Sequence, residues 1–331
     1  MPPKRKKMMN LSIRLNSLLR HTEPKPKKTL VKQNVSIDKN EIVLFKNVKI
    51  PQYEVEILQE LEKKLKKVFK VVKEVEWHTQ MGFTIDKERV TKIGLHECRV
   101  SKLPESIGEL DSLKELYLSS NKLKILPSSM GDLKSLEILE LNENQLKKLP
   151  ESIGNLSSLK KLWLSANKLI TLPESIGNLS SLEKLLINTN QLSSLPKSIG
   201  NLSKLQIFSL YNNPLRILPE SIGKLSSLVE LYLWNNQLIA LPDSIGDFRS
   251  IIYLQLDGNK LDALPESIGN LKSLERLNIY GNQLLKLPES IIKLRSLKIL
   301  ELQKNPLVED LDSKTESVLS NLEKNGVEVS K

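Results

Sequence analysis

The sequence predicts an α/β solenoid in which ten copies of a 23-residue unit stack side by side and share one parallel sheet. From Val90 onward, apolar residues return every 23 positions, an asparagine recurs nine times in register, and proline and glycine hold fixed places in the unit. A unit this short cannot bury its own apolar face. The units must therefore stack into one continuous core.

The unit reads LxxLxLxxNxLxxLPxSIGxLxS, and its copies begin at Val90, Leu113, Leu136, Leu159, Leu182, Leu205, Leu228, Ile251, Leu274 and Leu297. Side chains alternate along a strand, so the leucines at the fourth and sixth positions point into the core. The third, fifth and seventh positions then face the other way. Proline and glycine turn the chain back through a bulkier outer arc. The stack is expected to curve into a horseshoe, with the strands on a concave face formed by the third, fifth and seventh positions.

The ninth position of the unit predicts a ladder of buried asparagines. A side-chain amide carries both a donor and an acceptor, so at the turn after each strand it can satisfy backbone groups that would otherwise be orphaned. Loss of one is expected to cost about 1–3 kcal/mol. The first copy carries Cys98 instead, which is predicted to be structural. The ladder comprises Asn121, Asn144, Asn167, Asn190, Asn213, Asn236, Asn259, Asn282 and Asn305.

This repeat resembles the leucine-rich-repeat family over about two thirds of the chain. The variant LPESIGNLSSL is most similar to the intracellular Ras-group repeat proteins of plants, to the animal Ras-pathway scaffold, and to related proteins of bacteria and archaea. The resemblance implies a scaffold in intracellular signalling, with a small GTPase as one candidate partner. It leaves the identity of the partner open, because a fold does not fix a function.

The front of the array is predicted to be capped. Apolar residues at helical spacing predict an amphipathic helix over residues 52–72, which is expected to pack over the first repeat; a partner-binding helix is the alternative. The stretch from Trp77 to Leu95 resembles the amino-terminal cap of plant repeat proteins, but it lacks the cysteines of the secreted members. That absence favours an intracellular protein. The stretch Lys73–Trp77 also matches a degenerate docking pattern for a protein phosphatase, which makes a phosphatase a second candidate partner.

The back of the array is predicted to end in a capping helix. Ser313 and Glu316 fit a capping box ahead of an apolar stretch, and Asn325-Gly326 is a typical helix end. The predicted organisation is therefore a basic disordered tail (1–32), an N-terminal region with helix and cap (33–89), the repeats (90–310) and a C-terminal cap helix (311–331).

The concave face carries the candidate binding site. All seven tyrosine and tryptophan residues of the repeat region fall on its third, fifth or seventh positions, whereas Phe208 and Phe248 replace core leucines. Tyrosine and tryptophan are enriched at interface hot spots. The alternative is that the rings only stabilise the sheet through cross-strand pairing. The predicted partner-binding residues are Tyr211, Tyr232, Trp234, Tyr253, Tyr280, Asp257 and Arg276, extended by Trp163 and Tyr117.

The chain has a formal net charge of +11, and most of it lies in residues 1–32, which carry ten lysines and arginines and a single acid. Contact with nucleic acid or an anionic membrane is therefore expected only through this tail. With one cysteine and three histidines, none at a defining spacing, no metal, cofactor or catalytic constellation is predicted.

We therefore expect a non-enzymatic, monomeric and cytoplasmic scaffold that grips another protein on its concave face. Two alternatives remain open. The chain could be the repeat module of a host-directed effector without its enzyme, or a protein tethered to nucleic acid or membrane by its tail. A basic motif at Pro2–Lys7 makes a nuclear location the alternative to a cytoplasmic one.

Overall fold

A computed structural model describes residues 41–309 and 311–331, and the predicted basic tail lies outside the described residues. The predicted solenoid is confirmed, because each repeat contributes one strand to a continuous sheet of 13 strands. The ten repeat strands, β5 to β14, are Arg89–Gly94, Glu115–Tyr117, Ile138–Glu140, Lys161–Trp163, Lys184–Leu186, Ile207–Ser209, Glu230–Tyr232, Tyr253–Gln255, Arg276–Asn278 and Ile299–Glu301.

Parallel pairing places each repeat position beside the same position of the next repeat. Leu116 pairs with Leu139, and Leu139 pairs with Leu162. These leucines are fully buried and form a continuous core through the array. The register therefore turns every repeat position into a row that runs along the solenoid.

The outer arc of each repeat is a short 3₁₀ helix that follows the proline. Glycine is required there because the next repeat packs too closely to leave room for a side chain, and not because the backbone adopts an unusual φ. A Cβ added to Gly154 would lie 2.2 Å from the Ser175 carbonyl oxygen of the next repeat. The nine arcs are Glu105–Glu109, Ser128–Asp132, Glu151–Asn155, Glu174–Asn178, Lys197–Asn201, Glu220–Lys224, Asp243–Asp247, Glu266–Asn270 and Glu289–Lys293.

The ninth-position asparagines link the backbones of neighbouring repeats. In Asn190, Oδ1 accepts from the Leu169 amide at 2.9 Å, and Nδ2 donates to the carbonyl oxygens of Leu164 at 2.9 Å and Ile187 at 3.1 Å. The same contacts recur, repeat after repeat, from Asn121 to Asn305. In the first repeat, Cys98 Sγ donates to the His96 carbonyl at 3.3 Å, and burial raises the pKa of the thiol.

The front cap consists of a hairpin, a helix and a second hairpin. Strands β1 (Ile42–Phe45) and β2 (Val48–Pro51) pair antiparallel and lead into helix α1 (Gln52–Leu65). Strand β3 (Lys70–Val71) then pairs with β4 (Gly82–Asp86). Strands β4 and β5 pair antiparallel and form the second hairpin.

The predicted helical end at residue 72 is wrong, because Lys66 adopts a left-handed conformation with φ 52° and stops the helix. Val68, which the periodicity places on the apolar face, is 64% exposed. The chain enters the sheet as β3 instead. The apolar face of α1, including Leu58 and Leu61, is buried in the same core as the first repeat, as expected for a cap rather than a free partner-binding helix.

The back cap consists of α2 (Pro306–Glu309), α3 (Ser313–Lys324) and β15 (Glu328–Ser330). The N-cap of α3 is Asp312, whose carboxylate accepts from the Thr315 amide at 2.6 Å, so the predicted Ser313/Glu316 capping box is wrong by one residue. Gly326, with φ 84°, follows the helix end. Strand β15, which the sequence did not predict, pairs parallel with β14 and closes that edge. No helix within the described part of the chain is long and apolar enough to cross a membrane.

Candidate partner-binding surface

The seven repeat-region tyrosines and tryptophans lie on the opposite side of the strands from the leucine core. Six of the rings are half-buried, and Tyr117 is buried. None lies beneath the leucine layer or on the outer arcs. Five of them come from four successive repeats, and we call this group the concave aromatic patch: Tyr211, Tyr232, Trp234, Tyr253 and Tyr280.

Tyr211 and Trp234 form a stacked pair at one end of the concave aromatic patch. Both occupy the seventh position of consecutive repeats, and their ring centroids are 4.0 Å apart with 9° between the ring planes. The register produces this contact, because equivalent positions of parallel neighbours are separated by only about 4.8 Å. The two rings therefore form a preformed aromatic surface.

Cations lie against two further rings of the patch. The guanidinium carbon of Arg276 is 5.6 Å from the centre of the Tyr253 ring, and Lys304 Nζ is 5.1 Å from the centre of the Tyr280 ring. These distances are within the range of cation–π attraction. Arg276 is exposed, so its charge remains available at the rim of the patch.

The carboxylate of Asp257, beside the concave aromatic patch, is partly desolvated. Asp257 occupies the seventh position between Trp234 and Tyr280, and burial, aided by the charge of Glu301, raises the pKa of its carboxyl. Tyr232 donates its hydroxyl to Glu230 Oε2 at 2.7 Å. Burial together with that hydrogen bond raises the pKa of Tyr232 to about 12.

Tyr117 and Trp163 lie apart from the concave aromatic patch, because Leu186 and Ser209 occupy the fifth positions between Trp163 and Tyr232. They line a separate concavity of about 630 Å³ at the front of the array, which we call the cap pocket. The cap pocket is lined by Glu74, Val75, Glu76, Trp77, Lys92, Glu115, Tyr117, Ile138, Glu140, Asn142, Trp163 and Leu186.

Sequence reasoning missed the contribution of the cap to this concavity. The segment Glu74–Trp77, between β3 and β4, forms one wall, and Trp77 is 58% exposed. The same segment carries the phosphatase-docking pattern, but the valine of that pattern, Val75, is only 2% exposed. The valine of the docking pattern is therefore not available to a partner in this structure, and a phosphatase partner stays a prediction.

The repeats match known leucine-rich-repeat family models. A family model described as a leucine-rich repeat region matches residues 91–168, 118–191 and 243–327, and a leucine-rich repeat model matches residues 180–238. No curated protein sequence matches the chain. A solved leucine-rich-repeat protein of Leptospira interrogans is 33% identical over 73% of this chain and 72% of its own, with a TM-score of 0.46.

Two plant receptors give higher structural similarity. The ectodomain of the Arabidopsis thaliana receptor kinase GASSHO1/SCHENGEN3, solved with CASPARIAN STRIP INTEGRITY FACTOR 2, is 28% identical over 75% of this chain, with a TM-score of 0.64. A plant peptide hormone receptor solved with RGF2 is 31% identical over 71% of this chain, with a TM-score of 0.59. The present chain covers only 32% and 38% of those two receptor chains.

Proposed function

Because the chain belongs to the leucine-rich-repeat family, we propose that it is a non-enzymatic scaffold that binds another protein on its concave aromatic patch. Within that role we propose a place in intracellular signalling. A small GTPase is the candidate partner that the resemblance of the repeat to Ras-group proteins favours.

The observation that carries this proposal is the stacked pair of Tyr211 and Trp234 on an open sheet face. A preformed aromatic surface loses little side-chain entropy when a partner binds, and rigid rings are typical of interface hot spots. The cations beside Tyr253 and Tyr280 and the carboxylate of Asp257 add a polar rim. An apolar centre with a charged rim is the usual anatomy of a protein interface.

The two plant receptors provide a structural parallel. Each was solved in complex with a named factor, so the repeat architecture is compatible with binding a polypeptide ligand. For this chain, the parallel supports a protein as the class of partner.

The experiment is an affinity capture with the full chain and a Tyr211→Ala, Trp234→Ala, Tyr253→Ala variant, followed by mass spectrometry. Loss of two or three hot-spot rings is expected to weaken binding by ~100-fold or more. A matched control is Ile239→Ala with Leu285→Ala, which removes exposed apolar side chains outside the concave face. Circular dichroism must show that each variant is folded. Recovery of the same partners by all three proteins would contradict the proposal.

The competing proposal, contact with nucleic acid or an anionic membrane through residues 1–32, makes a different prediction about salt. Phosphate contacts are lost steeply as salt rises, whereas an aromatic interface changes little. Capture at low and physiological salt therefore separates the two. A partner that is retained at physiological salt and lost in the patch variant supports the concave face.

A further inference from the structure

We infer that the cap pocket binds a cationic side chain, an arginine or lysine of the partner polypeptide, at a position distinct from the concave aromatic patch. This inference rests on the proposed protein-binding function, since the cation belongs to the partner. The pocket lies between the cap segment Glu74–Trp77 and the strands of the first five repeats.

The lining of the cap pocket is acidic. It contains four glutamates and one lysine. The lysine is already used, because Lys92 Nζ lies 3.0 Å from Glu115 Oε1. Glu115 also accepts the Tyr117 hydroxyl through its other oxygen at 2.8 Å. No lysine or arginine in the described ranges forms an ion pair with the remaining three, Glu74, Glu76 and Glu140, although His78 Nδ1 lies 3.5 Å from Glu76 Oε2.

Among the four glutamates of the pocket, Glu140 is set apart by its burial. It is only 5% exposed, on the central strand of the pocket. Asn142 Nδ2 donates to its Oε1 at 3.3 Å, but Oε2 has no hydrogen-bond partner among the described residues. A buried carboxylate without a counter-charge is costly, and it keeps acceptor capacity for a donor that is supplied from outside.

Aromatic residues flank Glu140 in the sheet and line the same pocket. Tyr117 and Trp163 occupy the fifth position on either side of it, where in-register pairing places them opposite Glu140. Trp77 adds a third ring from the cap. Rings beside a carboxylate suit a cation, because the ring faces attract positive charge while the carboxylate neutralises it.

A second unpaired atom favours a basic residue within a polypeptide over a free inorganic cation. Trp163 Nε1 is buried without a hydrogen-bond partner among the described residues, and an indole nitrogen can only donate. A metal ion itself offers it no acceptor, so only the ion's bound water would. An arginine or lysine within a peptide offers both the cation that Glu140 lacks and a backbone carbonyl for an indole donor.

The test is a titration of the full, uniformly ¹⁵N-labelled chain with an acetylated and amidated Gly-Ser-Arg-Ser-Gly peptide. The matched control peptide carries citrulline, which has the shape of arginine without its charge. The indole N–H signals of Trp163 and Trp234 report separately on the cap pocket and the concave aromatic patch, with assignment by Trp→Phe variants. We expect the arginine peptide to shift the Trp163 signal saturably, with an affinity ~10-fold or more above that of the citrulline peptide.

Two variants define the site. Glu140→Gln keeps the shape of the side chain and is expected to weaken arginine-peptide binding ~10-fold. Glu301→Gln changes the same fifth position in the last repeat, outside the pocket, and is expected to have no effect. If Glu140→Gln does not fold, the double variant Glu74→Gln with Glu76→Gln tests the negative charge of the pocket at exposed positions. Equal binding of the citrulline peptide, or unchanged binding by the glutamine variants, would overturn the inference.

Affinity capture separates this inference from the proposed function. If the patch variant loses its partners while Glu140→Gln retains them in full, the cap-pocket inference is wrong and the proposed function stands. If the arginine peptide binds as expected while the patch variant retains every partner, the pocket is supported and the concave aromatic patch is not the interface.

Discussion

The Arg89 guanidinium donates from Nε to the Glu54 carboxylate at 2.7 Å and thereby joins helix α1 to the strand of the first repeat. Glu54 is fully buried, and its second oxygen accepts the Val90 amide at 2.8 Å. Arg89 also contacts Asp111 and Tyr53, so one cation bridges the cap, the first repeat and the loop before the second.

This contact predicts that Glu54→Ala destabilises the cap. The variant leaves the buried Val90 amide without an acceptor and removes one partner of Arg89. We expect the free energy of unfolding to fall by about 2–4 kcal/mol. Urea denaturation followed by circular dichroism measures the change. Glu56→Ala, on the exposed side of the same helix, is the matched control. Equal loss of stability in the two variants would show that the Glu54 contact contributes nothing specific.

The Glu54–Arg89 contact also marks the limit of what the sequence predicts. Periodicity defines the repeat register, and the register alone places leucines in the core and the rings of Tyr211 and Trp234 on the other face. Contacts between residues 35 positions apart, such as Glu54 and Arg89, leave no such pattern. The cap pocket leaves no such pattern either, because its wall and floor come from the cap segment Glu74–Trp77 and five repeat strands.

The two wrong predictions at the caps, the end of helix α1 and the N-cap of helix α3, have local causes. Val68 and Phe69 continue the apolar spacing of helix α1, so periodicity could not show that Lys66 ends the helix in a left-handed conformation. Asp312 and Ser313 are both good N-cap residues, and the capping-box pattern favoured the wrong one. Whether the concave aromatic patch binds a partner is untouched by these errors and stays a prediction.

The asparagine ladder predicts that loss of a ladder asparagine lowers the free energy of unfolding much more than loss of a nearby asparagine outside the ladder. Asn190→Ala removes an amide that satisfies three buried backbone groups, and we expect a loss of about 3 kcal/mol in the free energy of unfolding. Asn188→Ala, two residues earlier, removes hydrogen bonds to Ser165 and Ser209 on the half-buried concave face. We expect less than about 1 kcal/mol there. Denaturation curves of the two variants provide the measurement, and similar midpoints would refute a special role for the ladder.

Glu140 predicts opposite effects on stability and on binding. Burial raises the pKa of its carboxyl above the ordinary glutamate value, opposed by the nearby polar side chains of Ser119 and Asn142 and aided by the charge of Glu143. A raised pKa in the folded state means that the folded chain prefers the protonated form. The contribution of Glu140 to stability is therefore greatest at low pH and is lost as pH rises through its folded pKa.

At neutral pH, Glu140→Gln should therefore leave the free energy of unfolding unchanged or raise it, while it weakens binding of the arginine peptide. In the wild type, binding should weaken as pH falls through the raised pKa of Glu140, because protonation removes the charge that the cation needs. The variant should show a flatter pH profile over the same range, although Glu74, Glu76, Glu115, His78 and His96 are further titratable groups at or near the pocket. Parallel profiles for the two proteins would mean that Glu140 is already neutral and that its charge does not act on the ligand.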